Sequence, residues 1–124
     1  GFISKKTEAG RQKLNDFFMK SHFLIVPSEA ECYGLVFCEA SSFGLPSLAT
    51  QVGGIPAIVK DGVNGYLFDL HASPTEYANK IETLFSDEKR YAKLAKSSFC
   101  RYESDLNWAV ASNKITKLIK QALD

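Results

Sequence analysis

The segment from Phe23 to Thr50, FLIVPSEAECYGLVFCEASSFGLPSLAT, leaves few folds open to this chain. Phe23–Val26 is a short apolar run closed by Pro27 and Ser28, the pattern of a buried strand. A polar loop with two acids follows, Ser28-Glu29-Ala30-Glu31-Cys32-Tyr33. From Gly34 a second run, Leu35–Phe43, sets Val36, Phe37 and Ala40 at helical spacing and stops at Gly44-Leu45-Pro46. Ser47–Thr50 is short enough for another strand. Strand, loop, helix and strand in that order form one unit of a parallel α/β sheet. Ligands of such sheets sit beyond the carboxyl ends of the strands, which is where the acidic loop lies.

Length and composition bound the rest. With 124 residues the chain makes one domain at most, large enough for a core. A formal net charge of +1 gives no basic footprint, which argues against a nucleic-acid partner. Cys32, Cys38 and Cys100 are odd in number and lack CxxC or metal-ligand spacing. They read as free thiols of a reducing, cytoplasmic compartment, with Cys38 a small buried residue. No apolar run approaches the ~20 residues that span a bilayer, and no signal peptide pattern is visible. The chain opens at Gly1 without methionine, and Gly1–Ser4 resembles the tail of a strand, so a piece of a longer protein is expected.

Elsewhere the pattern is mostly helical. Lys5–Ser21 is a helix candidate with Leu14, Phe17, Phe18 and Ser21 along one side; Gly10 weakens its start, leaving Arg11–Lys20 as the secure part. His22 is expected to be structural at a strand edge. Gln51-Val52-Gly53-Gly54-Ile55-Pro56 is a loop that comes close to something, followed by a helical turn at Ala57–Lys60. Asp61-Gly62-Val63-Asn64-Gly65 is a turn in which Asn-Gly tolerates positive φ, leading to a third strand at Tyr66–Phe68. Ser73-Pro74-Thr75-Glu76 starts a helix with Tyr77, Ile81, Leu84 and Phe85 inward. Asp87 caps a second, with Tyr91, Leu94, Ala95 and Phe99 inward. Asn107–Leu123 is a third, with Trp108, Ala111, Ile115, Leu118, Ile119 and Ala122 on one face. The lysines between them, Lys114, Lys117 and Lys120, read as a solvated face before a lipid-binding one.

The chemistry concentrates in the acidic loop. Gly34-Leu35 opens a helix, where unpaired amides and the helix dipole favour an anion. Glu39 lies roughly 7–8 Å further along the axis. That spacing suits a nucleotide with its diphosphate at the helix start and its ribose at Glu39, whose carboxylate has acceptors for both hydroxyls. Glu31, before the helix, would sit nearer the group beyond the phosphates. Taken alone, the two acids also read as a solvated loop glutamate and an exposed helix glutamate.

The whole string resembles a known family. Pro27-Ser28-x-x-Glu31-x-Tyr33-Gly34-x-x-x-x-Glu39-Ala40, then Gly44-x-Pro46, Ala49-Thr50, Gly53-Gly54-x-Pro56 and Asp61-Gly62-x-Asn64-Gly65, is similar to the C-terminal domain of retaining GT-B glycosyltransferases of family four, often labelled group 1. The resemblance covers essentially the whole chain, and Glu31–Glu39 matches that family's E-x7-E motif. It implies a Rossmann-like parallel sheet with flanking helices, in which residues 1–124 are part of a nucleotide-sugar-binding domain. It also implies roles. Glu39 would hold the donor's ribose, and Glu31 would stand beside the donor sugar, contacting its hydroxyls or steadying positive charge at its anomeric carbon. Backbone amides of Tyr33, Gly34, Leu35 and Val36 would face sugar and diphosphate, with Gly53 and Gly54 in a second glycine loop. The usual Gly-Gly-x-Pro-Glu ends in Ala57 here, which removes any catalytic duty from position 57.

The family works without a required metal or other cofactor, so the donor, a nucleotide-diphosphate sugar, is the expected ligand. The first strands of the domain, the basic residues for the diphosphate and the acceptor-binding N-terminal domain would lie outside this segment. The acceptor would be a glycan, a lipid-linked sugar or a small molecule, and contact with a membrane surface is compatible with the second of these. The isolated segment is expected to be inactive. A binding-only relative, or an epimerase or phosphorylase of the same fold, is the alternative; the phosphorylase lacks its pyridoxal-lysine motif here.

Overall fold

Ser47–Thr50 (β2) has a parallel neighbour on each edge and every residue buried. With only the small hydroxyls of Ser47 and Thr50 beside Leu48 and Ala49, the strand fits the middle of a parallel sheet, where both faces are covered. In the computed structural model, which describes residues 3–123, Leu24–Val26 (β1) pairs with one edge through Leu24–Ser47, Ile25–Leu48 and Val26–Ala49. Gly65–Phe68 (β3) pairs with the other, from Ser47–Gly65 to Thr50–Phe68. The flanking helices are Glu8–Lys20 (α1), Leu35–Ser42 (α2), Ile55–Ile58 (α3), Pro74–Phe85 (α4), Glu88–Arg101 (α5) and Trp108–Leu123 (α6). A π-helical turn, Tyr102–Leu106, joins the last two. The expected parallel α/β sheet with flanking helices is the one that forms.

Helix α2 is the element on which the core converges. Phe37 and Cys38 meet Ala49, Ile55, Ile58 and Val59, while Ala40 meets Phe18 of α1 and Leu45; Leu24 and Val36 border both groups. Each fully buried side chain of this size contributes about 1.5–3 kcal/mol, so the core fixes the orientation of α2 and of every polar residue on its outer side. A buried polar network ties α2 to its neighbours. The Asn64 amide donates to Ile58 O at 3.1 Å and to Ser41 Oγ at 3.3 Å, and its carbonyl accepts from Lys60 N at 2.8 Å. Ser98 Oγ of α5 reaches Ser41 Oγ at 3.3 Å. Buried polar groups satisfied in this way specify one arrangement of the elements they join.

Several local expectations change. Helix α1 begins at Glu8, capped by Thr7 Oγ1, which accepts from Gly10 N at 3.2 Å; Gly10 is required there, since a Cβ would lie 1.9 Å from Ser4 O. Phe17 points outward at 53% exposure, while Leu14 and Phe18 supply the core side of the helix. Phe23 precedes β1, where it packs edge-on against Phe85 and Tyr91. Ile25 of β1 is 47% exposed rather than buried, as β1 ends the sheet among the described residues. The turn expected at Ala57–Lys60 is α3 itself and starts earlier, at Ile55, with Pro56 in its first turn. In the following loop the positive φ falls on Gly62 (70°), not on Asn64, which is buried for its side-chain bonds instead.

Further along, Leu94 of α5 is buried as expected, joined by Ser98 rather than by Phe99. The face expected to be inward on α6 is open, with Trp108 79% exposed. Ile3 and Ser4 are not strand, and Gly1 and Phe2, the rest of the expected strand tail, lie outside the described residues. His22 is structural as expected: it stacks edge-on against Phe85 at 5.1 Å, and its carbonyl accepts from the Tyr91 hydroxyl at 3.2 Å.

Candidate functional site

Because the strands are parallel, the loops that leave β1 and β2 emerge at the same edge of the sheet and meet there. The acidic loop after β1 and the glycine loop after β2 are in backbone contact. Gly54 N donates to Glu31 O at 3.2 Å. A Cβ on Gly53 would lie 1.9 Å from Glu31 O, and one on Gly54 would lie 2.0 Å from Cys32 O. Gly53 also has a φ of +52°, in the left-handed region that glycine alone enters at little cost. The paired glycines therefore act as a clamp that fixes the backbone beneath Glu31. An open concavity at this junction is lined by Glu29, Ala30, Glu31, Cys32, Val52 and Gly53.

Gly34 turns the loop into α2 through a left-handed conformation, φ +82°, and helix α2 has no side-chain cap. No side chain accepts from its first-turn amides; Phe37 N donates to Gly34 O at 3.0 Å, and an anion is the natural partner for the amides of Leu35 and Val36. A Cβ on Gly34 would stand 2.6 Å from the Phe37 ring, so the turn is packed as well as twisted. Tyr33 and Leu35 are exposed on either side of Gly34. The Val36 side chain packs against the core and leaves only its backbone amide for a ligand.

Glu39 follows one turn further along the exposed side of α2, its side chain 38% exposed and paired with the ammonium of Lys5. A cavity of about 190 Å³ opens beside it, with Tyr33, Leu35, Tyr102, Asp105 and Trp108 among its lining residues. The fold thus gathers Glu31, Tyr33, Gly34, Leu35 and Val36 around the start of α2, sets Glu39 along it, and holds the loop from behind with Gly53 and Gly54.

Three neighbours of the site carry no local signal in the sequence. Lys5 meets Glu39 across 34 positions of chain. Arg101 donates to Ile58 O at 3.2 Å and to Asp105 at 3.2 Å, which ties the π-helical turn to α3; it also reaches the carbonyl of Ala57 at 3.3 Å. Asp105, hydrogen-bonded by Lys114 at 2.9 Å, has its carboxyl held below the usual carboxylate range by that lysine first, with Arg101 adding to the effect. Behind the helix start, burial pushes the Cys38 thiol up, an effect the Tyr33 side chain partly offsets. Cys32 and Cys100 are exposed free thiols. Among the described residues no three His, Cys, Asp or Glu side chains gather as metal ligands, and no helix is long and apolar enough to cross a membrane.

Comparison with known proteins follows the same lines. Residues 6–99 match the family described as glycosyl transferases group 1. The D-inositol 3-phosphate glycosyltransferase of Thermobifida fusca is 32% identical over 113 residues, covering 91% of this chain and 26% of the relative. The chain spans about a quarter of the length of the curated relatives it matches. Among solved structures, HepE from Anabaena in complex with UDP superposes with a TM-score of 0.75 at 25% identity, over 85% of this chain and 29% of that one. The C-terminal domain of LpcC, a group 1 family glycosyl transferase from Francisella tularensis, gives a TM-score of 0.70 at 27% identity, over 87% of this chain and 52% of that one. The expected architecture, that of a GT-B glycosyltransferase C-terminal domain, is thereby borne out.

Proposed function

The chain belongs to the glycosyl transferases group 1 family, and from that premise we propose that it is the donor-binding part of a longer enzyme that transfers a sugar from a nucleotide-diphosphate sugar with retention of anomeric configuration. The observation that carries this reading is the uncapped start of α2, flanked by Glu31 on the clamped loop and Glu39 on the helix. Transfer breaks the bond between the anomeric carbon and the diphosphate oxygen. Negative charge grows on the leaving phosphate, and the outward amides of Leu35 and Val36 with the helix dipole stabilise it. Positive charge grows on the sugar, and the Glu31 carboxylate faces it. Glu39 accepts the ribose hydroxyls, which fixes where the diphosphate lies relative to the helix. These groups do their work without a metal ion or further cofactor.

HepE is solved with UDP and with UDP-glucose, which makes UDP the first nucleotide to try here. The acceptor, whether glycan, lipid-linked sugar or small molecule, is read as binding through parts of the protein outside this chain, in the cytoplasm. The test is turnover by the full-length parent protein with UDP-, GDP- and ADP-sugars, followed by proton NMR of the first sugar released or transferred. Retention predicts that the new product keeps the anomeric configuration of the donor, and that the 124 residues by themselves give no turnover. An inverted first product would refute retention. No nucleotide release from any of the three donors would refute transfer.

A further inference from the structure

We propose that Lys5 is a positioning residue for nucleotide recognition, one whose ammonium orients the Glu39 carboxylate toward the ribose; this rests on the reading of Glu39 given above. Lys5 Nζ pairs with Glu39 Oε1, and Oε2 has no partner among the described residues. The pair is exposed on both sides, with 56% of the Lys5 side chain open. An exposed ion pair of this kind contributes roughly 0–1 kcal/mol to folding, so removing it should leave stability nearly unchanged.

The backbone under Lys5 is nevertheless held from several directions. Arg11 Nη1 donates to Lys5 O at 3.1 Å, and Lys6 N donates to Ser4 Oγ at 3.3 Å. Gly10 lets the first turn of α1 close against Ser4 O, where a Cβ would lie 1.9 Å away. Thr7 caps the helix immediately after the turn. The Ser4–Thr7 turn is therefore folded back on α1, and it directs the Lys5 side chain across to α2.

The chemistry fits a positioning role. A carboxylate has about four acceptor sites, so Glu39 can take one bond from Lys5 and still receive two hydroxyls. Lysine is a compact point charge that engages one oxygen and leaves the second clear. A glutamate on an exposed helix face otherwise rotates among several side-chain conformers, and ordering it at the moment of binding would weaken the interaction.

The experiment titrates UDP and 2′,3′-dideoxy-UDP into the full-length parent protein and into its Lys5→Met, Lys5→Arg and Glu39→Gln variants. Hydrogen bonds to a charged acceptor predict that the wild type prefers UDP by about tenfold or more. Lys5→Met is expected to cut that preference at least about threefold by weakening UDP alone, with unchanged thermal unfolding. Lys5→Arg keeps the charge but can fork onto both carboxylate oxygens, so it is expected to restore the preference only in part. A merely structural role would lower both affinities together and overturn the proposal. Tighter UDP binding by Lys5→Met would overturn it as well, because Lys5 would then compete with the ribose. If Glu39→Gln loses the preference while Lys5→Met keeps it, only the role of Lys5 fails. If Glu39→Gln keeps it, the ribose assignment fails, and Lys5 with it.

Discussion

Gly53→Ala is expected to cost about 4 kcal/mol of stability or more, an exceptional loss for a single methyl group. Two effects add. The residue must keep a φ of +52°, which costs an L-residue roughly 1–2 kcal/mol. Its Cβ must also occupy a point 1.9 Å from Glu31 O. That obstacle is backbone, and the neighbouring Gly54 N–H bonds to the same carbonyl, so the loop cannot yield without losing its own contact. Gly62 supplies the control: it too has a left-handed φ, of +70°, but the nearest atom to its Cβ is the Tyr66 hydroxyl at 4.0 Å. Gly62→Ala is therefore expected to lose only the conformational part, about 1–2 kcal/mol. Urea midpoints for the two variants, measured with equal slopes, check the difference. Equal losses would show that the glycine pair does not clamp the acidic loop.

Glu31→Gln is expected to lower kcat on the order of a hundredfold while leaving nucleotide affinity within about threefold of wild type. The substitution keeps size and shape, so the backbone clamp on residue 31 is undisturbed and the change is confined to the charge. A carboxylate facing an oxocarbenium-like sugar acts only as that charge develops, which is why the loss falls on kcat rather than on binding. Steady-state kinetics with a UDP-sugar, together with UDP titration, separate the two quantities. An unchanged kcat would remove Glu31 from the reaction, and a loss in affinity alone would make it a binding residue.

What could be read from the sequence is what is encoded locally. Ser47–Thr50 was delimited by Gly44-Leu45-Pro46 on one side and the glycine loop on the other, and β2 has those bounds. Ser73-Pro74-x-Glu76 spelled a capping box, and α4 starts with one. Gly53-Gly54 was legible as a place of close approach, but only the fold shows that the approach is to the carbonyls of Glu31 and Cys32. Where partners are distant in the chain, pattern fails. Asn64 lies in the turn that Asn-Gly signals, but without the positive φ that pair tolerates; its side-chain bonds to Ser41, Ile58 and Lys60 hold it there instead. The π-helical turn at Tyr102–Leu106 has no periodicity of its own, and its contacts are distant in the chain, as where Arg101 beside it bonds back to α3. The amphipathic pattern of α6 marks a helix, but a pattern says which residues share a face and not whether anything covers it. Lys5 beside Glu39 had no signal at all, since a pair 34 positions apart leaves no mark in local spacing.

The central claim is that the start of α2 receives a nucleotide, with its ribose on Glu39. Ligand-observed saturation transfer tests it most directly, using UDP, GDP and ADP with the full-length parent protein and its Glu39→Gln variant. The method reads complexes as weak as ~1 mM, about −4 kcal/mol, so even a poorly matched base is detected. The expected result is saturation of the ribose protons of at least one nucleotide in the wild type, lost or strongly reduced in Glu39→Gln. Ribose saturation of equal strength in both proteins, or none from any nucleotide in the wild type, would contradict the account.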